Sequence, residues 1–91
     1  MATMLKINGR NCREMAHDAA KAAGKSCHFN MVNYSLNFDL DDAVELELTL
    51  ADSAKYWLRM GKRAKAIAAE TVRDAVVEVI MTERARLSWT K

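Results

Sequence analysis

The chain has 91 residues, of which 51% are hydrophobic and 29% charged, with no proline and three glycines; it is too short for two domains and too rich in core-forming side chains for a disordered tail, a collagen-like chain or a loop-rich scaffold. Its two cysteines fall short of a secreted disulfide framework and suggest a reducing cytoplasm, the first residues lack the pattern of a signal peptide, and the longest apolar runs are too short to cross a bilayer. The net charge of +2 divides into +3 over residues 1–38, −6 over 39–52 and +5 over 53–91, which predicts two differently charged faces able to steer a charged partner.

In chain order, residues 3–7 place Leu5 and Ile7 on one side of Lys6 and read as a first strand, ended by an Asn8-Gly9 turn. A helix of about three turns follows. Asn11 is its expected cap, Glu14 stands at the capping-box position, and Gly24 ends it. Cys12, Met15, Ala16, Ala19 and Ala23 mark the buried face.

From Cys27 the period changes to two. Tyr34, Leu36, Phe38 and Leu40 alternate with polar neighbours, while Phe29 and Met31 are on the opposite phase, so a bulge or twist is expected near residues 31–33. Asp41-Asp42 reads as a turn, and Val44, Leu46, Leu48 and Leu50 alternate with Glu45, Glu47 and Thr49, which predicts the second strand of an antiparallel hairpin.

Asp52 or Ser53 is the expected cap of the last element, and Trp57, Met60, Ala64, Ile67, Ala68, Val72, Val76, Val79 and Ile80 keep its apolar stripe. Gly61 interrupts it, because glycine costs about 1 kcal/mol relative to alanine inside a helix. The expected fold is one α+β domain over residues 1–91. It has the order β-α-β-β-α, a three-stranded antiparallel sheet with two helices on one face, and a long C-terminal helix kinked or broken at Gly61. Such a helix would overhang the sheet, leaving Val76, Val79, Ile80 and the tail residue Trp89 to form a homodimer interface.

Cys12, His17, Cys27 and His28 are four potential zinc ligands within 17 residues, but their spacing is wrong for tetrahedral zinc and none is assigned to a metal. No nucleophile elbow, phosphate-binding loop or dinucleotide fingerprint occurs, and Ser35 lies among asparagines with no base. Neither an enzyme activity nor a cofactor is expected. The strongest polar signal is a run of bases at Lys55, Arg59, Lys62, Arg63 and Lys65, with no acid between them and with Tyr56 and Trp57 interleaved. Such a set suits a protein partner or single-stranded nucleic acid.

The run Asp52-Ser53-Ala54-Lys55-Tyr56-Trp57-Leu58-Arg59-Met60-Gly61 resembles a D-x-A-x-x-W-L-R-x-G run in small phage anti-CRISPR proteins that inhibit a type II-C CRISPR nuclease. The resemblance implies a small inhibitor of phage type that acts by occluding a larger host machine. The expected function is binding of a macromolecular partner, such as a nucleic-acid enzyme or complex, and the basic run, not the resemblance, assigns it to Lys55, Tyr56, Arg59, Lys62, Arg63 and Lys65. The alternatives are a small nucleic-acid-binding protein using the same residues, and a structural or assembly subunit.

Overall fold

Leu36 lies opposite Leu5 on one side and Phe29 on the other, and this antiparallel register fixes the centre of the sheet. The computed structural model describes residues 2–23 and 25–89. Its elements are β1 (Ala2–Lys6), α1 (Arg10–Ala22), β2 (His28–Asn30), β3 (Ser35–Asp39), α2 (Leu40–Arg59) and α3 (Arg63–Trp89). The strands form one antiparallel sheet in the order β1-β3-β2, so the α+β class and the three-stranded sheet are as the sequence predicts.

The expected third strand at residues 44–50 is instead the first half of α2. Two periods compete there, since Leu46, Leu48 and Leu50 alternate, whereas Ala43, Leu46, Leu50 and Ala54 recur at helical spacing and are the residues that become buried. Leucine, alanine and glutamate favour the helix, and Asp41 and Asp42 fall in its first turn, where their charge complements the helix dipole. Asp52 and Ser53 consequently lie within α2 and cap nothing.

The sheet is completed from within the preceding segment. Residues 31–34 form a turn rather than a bulge, which divides the expected single strand into the β2–β3 hairpin and accounts for its change of phase. The Asn30 side chain accepts hydrogen bonds from the amides of Val32 at 2.8 Å and Asn33 at 3.3 Å, as in an Asx-turn. Tyr34 closes the turn at φ 55°, a left-handed conformation unusual for a residue with a side chain.

At the start of α1, Gly9 at φ 94° takes the N-cap position without a side-chain cap, so Asn11 lies inside the helix and Glu14 bonds elsewhere. The chain leaves α1 through Ala23, whose amide donates to Ala19 O at 2.9 Å; the predicted stop at Gly24 lies outside the described residues. The break at Gly61 is present. It is a glycine-terminated cap in which Gly61 (φ 77°) donates to Leu58 O at 3.1 Å and Lys62 to Trp57 O at 2.8 Å. α3 then folds back along α2.

The main core gathers Ile7, Phe29, Leu36 and Phe38 from the sheet side with Ala16 and Ala19 of α1, Leu46 and Leu50 of α2, and Val72, Val76 and Ile80 of α3. A second cluster joins Met15, Ala54, Ala68 and Ala69, with Trp57 and Cys12 packed on it. This arrangement overturns the dimer interface expected from the sequence. Val76 and Ile80 are 0% and 9% exposed, and the half-buried Val79 packs against the same core. The segment read as a strand is a helix long enough to lie along α3, so the stripe expected to overhang is covered by the protein itself. The Trp89 side chain lies outside the described residues.

Candidate functional site

The α2–α3 corner collects most of the cations singled out in the sequence. Lys55 and Arg59 lie on the last turns of α2, Lys62 follows Gly61, and Arg63 opens α3; all four are exposed. None of the four has an ion-pair partner among the described residues. The first turn of α3 carries no acid, so the positive end of its helix dipole adds to the field of Lys62 and Arg63. Tyr56, Leu58 and Met60 stand among these charges and are themselves exposed.

Lys65 behaves differently from the rest of the run. Its ammonium lies 3.3 Å from Glu14 of α1 and 4.3 Å from the centre of the Trp57 ring, so it ties three helices together instead of facing a partner. Trp57 is half-buried, covered by Lys65 on one side, and meets Tyr56 edge-on with ring centres 5.0 Å apart. Of the two rings that could have stacked on bases, only Tyr56 is exposed.

The opposite end of α2 is acidic, with Asp41 and Asp42 in its first turn and Glu45 one turn later. Asp42 is held by Ser26: the hydroxyl bond, followed by the Ser26 amide bond, lowers its pKa below the ordinary aspartate value. α2 thus carries acids at its positive dipole end and bases at its negative end, each in the favourable position.

A second concave surface lies between α1 and the β2–β3 hairpin, lined by Arg13, Glu14, His17, Phe29, Met31 and Tyr34. The Arg13 guanidinium stacks 3.8 Å from the centre of the Tyr34 ring and donates from Nε to Ile7 O at 3.1 Å. His17 meets Phe29 edge-on, with ring centres 6.1 Å apart. Sequence reasoning missed this surface because its residues come from two elements with no local motif in common.

The other chemically suggestive residues separate. Cys12 packs on the core between α1 and its neighbours, and His28 is exposed on the short edge strand β2. Among the described residues no group of three or more His, Cys, Asp or Glu side chains is placed to hold a metal ion. Ser35, one of the polar residues that alternate with the apolar ones along β3, is nevertheless 1% exposed, and its hydroxyl bonds to Asn33 and Asn37. Among the described residues no helix is long and apolar enough to cross a membrane. Comparison with protein-family models, curated protein sequences and solved structures found no match.

Proposed function

We propose that the protein is a small non-enzymatic binding protein that docks its α2–α3 corner on an acidic surface of a larger protein and so inhibits or modulates it, acting as a homodimer in a reducing cytoplasm. One observation carries the reading: Arg59, Lys62 and Arg63 are exposed without ion-pair partners among the described residues and stand beside the exposed side chains of Tyr56 and Met60. Arginine, methionine and aromatic residues together are the composition of protein interfaces, whereas phosphate backbones need cations alone. The run at residues 52–61 that resembles phage anti-CRISPR inhibitors ends on this corner, which supports extending the reading from binding to inhibition.

Nucleic acid is the second reading, favoured by the same cations and by the helix dipole at the start of α3. The covering of Trp57 by Lys65 weighs against it, because one exposed ring makes a poor stacking platform.

The test is quantitative affinity capture from cell extract, comparing the wild type with Lys62→Glu/Arg63→Glu and with Met60→Ser, alongside mobility shifts on mixed-sequence oligonucleotides at low and moderate salt. A protein retained by the wild type and lost to both variants, with no oligonucleotide shift, supports docking at the corner. A salt-sensitive shift abolished by the double variant transfers the function to nucleic acid. Capture unchanged by either variant overturns the role of the corner.

A further inference from the structure

On the outward face of α2, Val44, Leu48, Ala51, Lys55 and Leu58 follow one another at alternating steps of four and three residues, the spacing of a helix–helix seam. This stripe is separate from the one α2 buries at Ala43, Leu46, Leu50 and Ala54. Val44, Leu48 and Leu58 are 45%, 54% and 62% exposed, so three branched apolar side chains on this face stay largely uncovered by the described residues, with Glu70 and Arg73 of α3 bordering it beside Ala51, Lys55 and Leu58. The small Ala51 stands midway between Val44 and Leu58 and permits close approach of a second helix axis.

The charges beside the stripe indicate what covers it. Asp41 and Glu45 flank it near the start of α2 and Asp52 near its middle, while Lys55 lies within it and Arg59 beside it near the end; all five are exposed and have no ion-pair partner among the described residues. A copy of α2 laid parallel would set acid on acid and base on base. Laid antiparallel, it sets the acidic half of each helix against the basic half of the other and opposes their dipoles. The face is therefore complementary to itself in one orientation.

We propose that this face of α2 docks on the same face of a second copy of the chain, antiparallel about a two-fold axis near Ala51, with Val44 against the partner's Leu58 and Arg59 near the partner's Asp41. The inference rests on the homodimer part of the preceding reading and replaces the α3 face expected from the sequence. The seam takes Lys55, Leu58 and Arg59 from the corner, whereas Tyr56 lies well round the helix and Lys62 and Arg63 lie beyond the end of α2, so Tyr56, Met60, Lys62 and Arg63 stay available for docking in the dimer.

The test is the solution mass of the full chain by light-scattering chromatography. The wild type is expected at twice the chain mass of 10.2 kDa, and Leu48→Glu at the monomer mass with an unchanged circular dichroism spectrum. Asp41→Lys/Glu45→Lys and Lys55→Glu/Arg59→Glu are each expected to be monomeric alone and to form a dimer when mixed, because the mixture restores opposite charges across both halves of the seam. A monomeric wild type overturns the homodimer reading together with this face. A dimer that survives Leu48→Glu, or that persists in both charge variants separately, overturns this face alone.

Discussion

Ser26 holds Asp42 with two hydrogen bonds, one from its hydroxyl at 2.5 Å and one from its backbone amide at 3.1 Å. The same hydroxyl accepts from the Asp39 amide at 3.0 Å, at the N-cap of α2. A residue from the loop before β2 thus serves as the cap that the Asp39 side chain does not supply. Ser26→Ala is expected to destabilise the fold, with the lost acceptor for the Asp39 amide contributing about 1 kcal/mol. Because the Asp42 pKa is lowered in the native state, its share of stability is complete above the ordinary aspartate value and disappears as pH falls through the native one. Thermal melts of wild type and Ser26→Ala should therefore be furthest apart near neutral pH and draw closer towards strongly acidic pH, below the ordinary aspartate range, where only the loss at the Asp39 amide remains.

The helical assignment of residues 44–50 has a direct mutational signature. Leu46 and Leu50 are wholly buried whereas Leu48 is half exposed. Leu46→Ala and Leu50→Ala should each cost about 2–5 kcal/mol in urea unfolding, and Leu48→Ala less than about 1 kcal/mol when measured at a concentration where the chain is monomeric. A strand with alternate residues inside would give three similar losses.

Gly61 has nothing within 4 Å of the position a Cβ would occupy, so an alanine there meets no steric obstacle. Its cost comes from the backbone alone, at φ 77°. Gly61→Ala should destabilise by about 1–2 kcal/mol, measured by chemical denaturation, and Gly61→Asn by less.

Arg13 joins the end of β1 to the hairpin turn through Ile7 O and the Tyr34 ring. Arg13→Ala is expected to cost about 1–2 kcal/mol, and Arg13→Lys to recover only part of it, because an ammonium cannot lie flat on the ring as guanidinium does. Thermal denaturation of the two variants beside the wild type provides the check.

Legibility differed from element to element for identifiable reasons. α1 could be read because Met15, Ala16 and Ala19 fit only the helical period, and the break at Gly61 because a lone glycine in an alanine-rich run has few other uses. In α2 the leucines satisfied both periods, and the acids that mark a helix start could equally be read as a turn. The β2–β3 turn was obscured by containing no glycine: Asn30 and Tyr34 supply its geometry instead. At the corner, the run of cations was visible in the sequence, and Lys55, Arg59, Lys62 and Arg63 are exposed. The diversion of Lys65 could not be foreseen, since its partner Glu14 lies 51 residues away and only the packing of α1 on α3 brings them together.

The strand order β1-β3-β2 has a consequence for how the chain acquires its structure. The central strand is the last of the three to leave the ribosome, and among the described residues neither earlier strand has any other pairing partner. No part of the sheet can pair until β3, which begins at Ser35, has been made. Once it has, two ladders close on the same strand while Ser26 meets Asp39 and Asp42, which couples completion of the sheet to the start of α2.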